Sequence, residues 1–217
     1  MHGPPAPAPT RLLVISPHGD DEVIGCGGLI ARTLAEEGEV GILYMSFYGS
    51  QAREAEEACR RLGVSWRRAL FPDWALRLDR LPQAKLIGRL EEEIAAFDPT
   101  QVFLPYPSHH QDHRAVYQAT LAALRPGRAG RVQLMACYEY VYGGWLGHVD
   151  GGPGFLYVNI APYWQAKRWA LEAYADQLRP APDPLSIASV EALARARGAE
   201  VGWEAAERFH VVRMAKA

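Results

Sequence analysis

Histidine and aspartate side chains concentrate in two short stretches of the sequence. The first reads Ser16-Pro17-His18-Gly19-Asp20-Asp21-Glu22, and the second reads His109-His110-Gln111-Asp112-His113. Imidazole and carboxylate groups in this mixture suit a zinc ion with three protein ligands and one open coordination position. The two stretches also contain enough such groups to leave an acid and a base off the metal. We therefore predict a zinc site built from both stretches.

Each stretch also has an ordinary structural explanation. Acidic residues are favoured at helix N-termini, where they interact with free N–H groups and with the helix dipole. The histidine-rich stretch, taken alone, could be a polar surface loop. Both stretches, however, follow a predicted parallel strand, at the edge where open α/β sheets bind ligands. Three of the seven histidines lie within five residues. Taken together, the two stretches favour the metal site.

Apolar runs and helical patterns alternate along the first half of the chain. Strands are predicted at 11–15, 40–47, 66–71 and 101–106, with helices at 24–37, 51–62 and 82–97. This alternation predicts parallel βαβ units, and hence a three-layer α/β/α sandwich with a Rossmann-like, mostly parallel sheet. Further along, we predict helices at 114–124, 163–178 and 190–201 and strands at 132–142, 155–160 and 209–212.

Composition narrows the class of protein. The 217 residues are 49% hydrophobic and 22% charged, which is ordinary globular composition. We predict a proline-rich tail at 1–10 and one domain at 11–217. A net charge of −2 gives no indication of a nucleic-acid or membrane partner. Three widely spaced cysteines and a start without the features of a signal peptide favour the cytoplasm.

The motifs resemble those of a known enzyme family. Pro17-His18-Gly19-Asp20-Asp21-Glu22, Gly25-Cys26-Gly27-Gly28 and His110-Gln111-Asp112-His113 are similar to motifs of the LmbE-like (PIG-L) zinc-dependent N-deacetylases. The resemblance runs from about residue 11 to the end of the chain. Gly19 and Gln111 stand where the family usually has prolines. The additional His109 is a second candidate for the first histidine of the second motif, beside His110.

The resemblance implies a role for each motif residue. It implies that zinc is bound by His18, Asp21 and His113. It further implies that Asp20 is the general base, that His110 stabilises the transition state and that Asp112 orients His110. Arg53 would face the substrate. General chemistry agrees, because amide hydrolysis with a metal uses a carboxylate off the metal and a hydrogen-bond donor for the oxyanion.

The function implied is removal of the N-acetyl group from an N-acetylglucosamine-type amino-sugar conjugate, with a glucosaminyl-malate thiol precursor ranked first. Another N-acyl glycoside is the nearest alternative. A magnesium-dependent phosphoryl-transfer domain is a different class, but it leaves the histidines unexplained because magnesium prefers oxygen ligands. A non-catalytic metal-binding domain of the same fold is the third class. The partner is a small molecule, and a homo-oligomer is left open.

Two further features have competing explanations. The glycines at 25–28 resemble a dinucleotide-binding turn, but Ile30 stands where its third glycine should be, so close helix–sheet packing is favoured. Trp74, Tyr142 and Trp145 could stack on a sugar or pack as ordinary loop aromatics. The loops around 72–81 and 142–154 are expected to select the substrate.

Overall fold

Seven strands and six helices make up the part of the chain that the computed structural model describes, residues 9–139, 141–142 and 154–215. The strands are β1 (Arg11–Ser16), β2 (Glu39–Tyr44), β3 (Trp66–Ala69), β4 (Gln101–Pro105), β5 (Leu134–Tyr138), β6 (Phe155–Asn159) and β7 (Ala206–Met214). The helices are α1 (Asp21–Ala35), α2 (Gln51–Leu62), α3 (Gln83–Phe97), α4 (Gln111–Ala123), α5 (Trp164–Leu171) and α6 (Ile187–Ala199).

The strands form one sheet in the order β3-β2-β1-β4-β5-β7-β6. Strands β1 to β5 pair in parallel, and β7 is antiparallel to both of its neighbours. The predicted α/β sandwich is therefore confirmed. From β1 the chain builds outward first through β2 and β3, and later through β4 and β5. The crevice between β1 and β4 is thus the point where the strand order reverses, which is where such sheets bind ligands.

The apolar side chains of β1 are buried on one face of the sheet or the other. Leu12 and Val14 belong to a hydrophobic cluster that includes α1, α2, α5 and α6 residues. Leu13 and Ile15 belong to a second cluster with α3 and α4 residues. All four side chains are 0% exposed, so a continuous apolar run here does mark a strand covered on both faces.

Helix α1 lies unusually close to its neighbours. A Cβ atom on Gly25 would overlap the ring of Tyr138, and one on Gly28 would overlap the side chain of Ile160. Glycine is therefore required at these positions for close approach. This geometry supports the packing explanation of the glycine cluster rather than a dinucleotide-binding turn.

Several boundaries differ from the predicted ones. Helix α4 begins at Gln111, three residues earlier than predicted, because the Nδ1 atom of His110 caps it by accepting a bond from the Asp112 N–H. Helix α5 ends at Leu171, well before residue 178. Strand β7 is longer than predicted, because it is an interior strand paired on both sides.

Some predictions fall outside the described residues. These are the first eight residues of the proline-rich tail, Trp145, and most of the loop at 142–154. The division into a tail and one domain stays a prediction. In the described part of the chain, none of the helices combines the length and the apolar character that a membrane span needs.

Candidate metal centre and active site

The two polar stretches meet at the carboxyl ends of β1 and β4. His18 follows β1 after a single proline, and Asp21 is the first residue of α1. His113 lies in the first turn of α4, the helix that follows β4. Because β1 and β4 are adjacent and parallel, the sheet brings residues about ninety positions apart to one point.

One carboxylate oxygen joins the three residues expected to bind zinc. Asp21 Oδ2 is 3.4 Å from His18 Nδ1 and 3.3 Å from His113 Nε2. Ligands about 2.1 Å from a tetrahedral zinc ion lie about 3.4 Å from one another. His18, Asp21 and His113 are at most 9% exposed, and their ligand atoms lie within 4.8 Å of one another. The donor set and its spacing therefore fit a zinc ion.

The electrostatics of this cluster favour positive charge. Burial by itself would lower the pKa of His18, but hydrogen bonds with Asp112 and Asp21 outweigh it and raise that pKa to about 10. Burial would raise the pKa of Asp21, but the neighbouring His113 and His18 hold it well below its usual value. The ionised carboxylate of Asp21 thus faces the point where a cation would bind, between His18 Nδ1 and His113 Nε2.

Asp112 has contacts that the sequence did not predict. Its carboxylate is fully buried, and Oδ2 lies 3.0 Å from His18 Nε2. Oδ2 also accepts a hydrogen bond from the Leu76 N–H, and Oδ1 accepts one from the Leu78 N–H. The carboxylate therefore contacts His18, and the backbone N–H of Asp112 contacts His110. The bonds to Leu76 and Leu78 attach the loop around 72–81 to the site.

The ring of His110 lies beside the candidate metal ligands His18 and His113. The ring centroids of His110 and His18 are 4.9 Å apart, whereas His109 is exposed. Burial, followed by the proximity of His18 and His113, lowers the pKa of His110 to about 4. Nδ1 of His110 accepts a hydrogen bond, so the proton of the neutral ring is on Nε2. The site therefore presents a neutral N–H donor rather than an imidazolium.

Asp20 has an unusual backbone conformation. Its φ is 121°, a region that non-glycine residues seldom adopt, and such strain typically costs about 1–3 kcal/mol. The carbonyl of Asp20 accepts the N–H groups of Val23 and Ile24, at the start of α1. Burial, and then the nearby Asp21 and Glu22, raise its pKa well above the usual value. Asp20 is not part of either group of candidate metal ligands.

Arg53 lies in the first turn of α2, outside the ligand cluster. Its side chain is exposed, and among the described residues its guanidinium has no hydrogen-bond or ion-pair partner. The same turn approaches the site at Gln51, whose carbonyl oxygen would be 3.1 Å from a Cβ on Gly19. Arg53 is thus a free cation on the element next to Asp20.

Sequence reasoning assigned no role to Glu22, although the residue is fully buried beneath the site. Its carboxylate accepts hydrogen bonds from the hydroxyls of Tyr44 and Tyr174 and from the N–H of Asp20. A glutamate beside a helix N-terminus looks like a solvated residue in the sequence. The structure shows that Glu22 is buried, because two tyrosine hydroxyls from distant elements donate to its carboxylate.

A family profile matches this part of the chain. The PIG-L profile, described as GlcNAc-PI de-N-acetylase, covers residues 13–124 and therefore more than half of the sequence. The chain belongs to the PIG-L family. The matched region includes both polar stretches, and so all of the residues of the candidate metal centre.

Solved structures share the PIG-L fold over nearly the whole chain. The conserved protein TT1542 from Thermus thermophilus is 27% identical, with a TM-score of 0.78 and coverage of 95% of this chain and 96% of that one. N,N'-diacetylchitobiose deacetylase from Pyrococcus horikoshii is 21% identical (TM-score 0.71; 94% and 84% covered). GalB, the 4-carboxy-2-hydroxymuconate hydratase from Pseudomonas putida, is 17% identical (TM-score 0.74; 96% and 98% covered). The fold therefore supports more than one reaction.

Proposed function

We propose that the protein is a zinc-dependent N-deacetylase that acts on a small N-acetylglucosaminide. The observation that carries this proposal is the spacing of the donor atoms around Asp21 Oδ2, 3.4 and 3.3 Å, with an aspartate and a neutral histidine beside them. Zinc would be held by His18, Asp21 and His113. When bound, it lowers the pKa of a water molecule and polarises an amide carbonyl.

Asp20 is the proposed general base. Its carboxylate is not a candidate ligand, and its raised pKa suits a group that takes up and releases a proton. In amide hydrolysis the water oxygen bonds to the acetyl carbon, the carbon–nitrogen bond breaks, and the water proton passes to the leaving amine. Asp20 would carry that proton, so that acetate and a free amino sugar are formed.

His110 is the proposed oxyanion donor. With Nδ1 engaged by the Asp112 N–H, its Nε2–H is available to the negative oxygen that develops on the acetyl carbon. Asp112 acts on the other histidine, since its carboxylate holds His18 at 3.0 Å. We therefore assign Asp112 the role of fixing a metal ligand and the adjacent loop.

The proposed substrate carries a short anionic group, with a glucosaminyl-malate conjugate as the first choice. An exposed guanidinium without a protein partner suits bidentate recognition of a carboxylate, and Arg53 is one on the helix beside Asp20. The described cysteines are free and buried, in keeping with the proposed cytoplasmic location.

Two other reaction classes compete with deacetylation. Magnesium-dependent phosphoryl transfer is disfavoured by three histidine rings with centroids 4.9–5.6 Å apart, since magnesium prefers oxygen ligands. Hydration of a carbon–carbon double bond is favoured only by the fold shared with GalB. A non-catalytic domain would have no need of an unliganded Asp20 and His110.

A substrate panel tests the proposal. The zinc-loaded protein would be assayed for acetate released from N-acetylglucosamine, its malate conjugate, its inositol conjugate and diacetylchitobiose. We expect the malate conjugate to have the highest kcat/KM, and Arg53→Ala to remove this preference. Equal rates on all four would contradict the substrate. Absence of acetate from every compound, in a protein that holds zinc, would contradict deacetylation of this class.

A further inference from the structure

Glu22 is a buried carboxylate to which neither the family motif nor the proposed mechanism gives a role. Oε1 accepts the hydroxyls of Tyr44, at 3.0 Å, and of Tyr174. Oε2 accepts the N–H of Asp20 at 3.0 Å and faces the hydroxyl of Ser16 at 3.3 Å. The two tyrosine hydroxyls and the Asp20 N–H donate to Glu22, whereas the Ser16 hydroxyl donates to the His18 carbonyl oxygen at 2.6 Å. Among the described residues no cation is paired with Glu22.

A carboxylate in this position is costly to bury and must be compensated by hydrogen bonds. Burial raises its pKa, whereas the bond from Tyr174 acts in the opposite direction. The donors come from the turn between β1 and α1, the end of β2 and the segment that follows α5. Glu22 therefore connects three separate elements directly beneath the site.

The hydrogen bond from the Asp20 N–H links Glu22 to the proposed general base. Asp20 is held at a φ of 121° by hydrogen bonds on both of its peptide groups: its N–H donates to Glu22, and its carbonyl caps α1. A strained backbone of this kind persists only when its surroundings fix it. Removing the Glu22 carboxylate leaves the N–H of Asp20 without an acceptor and lets the residue relax.

We infer that Glu22 is a positioning residue that holds the backbone of Asp20, and through it the Asp20 carboxylate, in the orientation needed for proton transfer. The two tyrosine hydroxyls fix Glu22 in turn. This inference rests on the proposed function, because it supposes that Asp20 is the base. It goes beyond that function because it gives a hydrogen-bond network outside the metal centre, Glu22 and its donors, the role of orienting the base.

The test is a double-mutant cycle between Glu22→Ala and Asp20→Asn. A displacement of about 1 Å can cost about 10²-fold, so we expect Glu22→Ala to lower kcat by about that factor with KM and zinc content unchanged. If Glu22 acts through Asp20, the same change in an Asp20→Asn background should cost little more. An equal loss in both backgrounds would overturn the inference.

Glu22→Gln is the conservative variant. Its amide oxygen can accept the N–H of Asp20, and its amide group can donate to the tyrosine hydroxyls, which rotate to accept. We expect it to restore most of the activity that Glu22→Ala loses. Where Glu22→Ala fails to fold, the Tyr44→Phe, Tyr174→Phe double variant takes its place in the cycle. An inactive Glu22→Gln with a full complement of zinc and wild-type stability would contradict a purely positioning role.

Glu207→Gln is the matched control for general loosening of α1. Glu207 is also a buried glutamate that accepts N–H groups of this helix, from Gly28 and Leu29, and it pairs with Lys167 at 2.7 Å. Its substitution should lower stability without a comparable loss of kcat. A loss of kcat as large as that of Glu22→Ala would show that stability, and not the hold on Asp20, accounts for the effect.

A crystal structure of zinc-loaded Glu22→Ala separates this inference from the proposed function. We expect the φ of Asp20 to leave the positive region, with His18, Asp21 and His113 unmoved. An unchanged Asp20 conformation overturns the inference whatever the activity. If Asp20→Asn alone retains full activity, the assignment of Asp20 as the base fails. The crystal structure of Glu22→Ala then still tests whether Glu22 fixes the backbone of Asp20.

Discussion

Three kinds of residue occupy the candidate site, and they differ in what holds them. His18, Asp21 and His113 hold one another around a shared oxygen. His110 is fixed by a backbone N–H, and Asp20 by a buried network. Residue types and spacing predicted a metal site built from the two stretches, and the family resemblance implied its three ligands. The partner of Asp112 could not be predicted, because which histidine its carboxylate reaches depends on how α4 packs beside β1.

Loss of one candidate ligand should remove the metal. We expect His113→Ala to lose most of its zinc, because two remaining ligands cannot complete a buried tetrahedral site. Elemental analysis of protein purified without chelator measures this. His109→Ala is the control, since His109 is exposed and should leave the zinc content at one per chain. Full zinc content in His113→Ala would show that the metal is held by other residues.

Loss of the proposed base should leave the metal in place. We expect Asp20→Asn to retain zinc and to lower kcat by about 10²–10⁴-fold, the usual effect of removing a general base. Acetate release at saturating substrate and metal content would be measured on the same preparation. Zinc lost together with activity would identify Asp20 as a ligand.

Loss of the proposed oxyanion donor should also lower kcat, but by a smaller factor than loss of the base. We expect His110→Ala to lower kcat by about 10²–10³-fold, as removal of one donor does elsewhere. His109→Ala again serves as the control, because its side chain is exposed. If His109→Ala were the impaired variant, the assignment of the donor would pass to that residue.

At the scale of elements, the strands were predicted well from apolar runs, whereas the ends of the helices were predicted poorly from helical periodicity. Strands β1, β2 and β4 were predicted within three residues, because a strand buried on both faces has an unbroken apolar sequence. Strand β3 was also predicted, although its side chains are half-buried or exposed. Helix α5 was predicted seven residues too long. The residues after Leu171 keep a helical pattern but turn away, and there Tyr174 reaches Glu22 and the Asp176 N–H reaches Glu54. Such tertiary contacts override local pattern.

The close packing of α1 leads to a matched pair of stability measurements. Gly28→Ala places a Cβ inside the side chain of Ile160, so we expect it to destabilise the protein by about 1–3 kcal/mol. Gly88→Ala, in α3, meets nothing within 4 Å and should stabilise it by about 0.5–1 kcal/mol through helix propensity. Urea denaturation compares the two. Equal effects of the same sign would refute close packing as the reason for Gly28.

At the scale of the whole molecule, burial makes the cysteines reporters of unfolding. Cys26, Cys59 and Cys137 are at most 2% exposed, and burial raises the pKa of Cys59 and of Cys137 to about 12. At pH 8 a thiol with that pKa is ionised to only about 10⁻⁴. The thiolate is the reactive form, so the native protein should resist alkylation, and labelling should require opening of the core.

Metal binding should therefore slow cysteine labelling throughout the molecule. A ligand that binds only the folded state stabilises it by about 2.7 kcal/mol at a hundred times its dissociation constant. Where labelling follows global opening, zinc should slow iodoacetamide labelling of all three cysteines by about 10²-fold, as measured by mass spectrometry at pH 8. In His113→Ala the same zinc concentration should have little effect. Equal slowing in both proteins would mean that zinc protects the thiols directly, and not through the proposed centre.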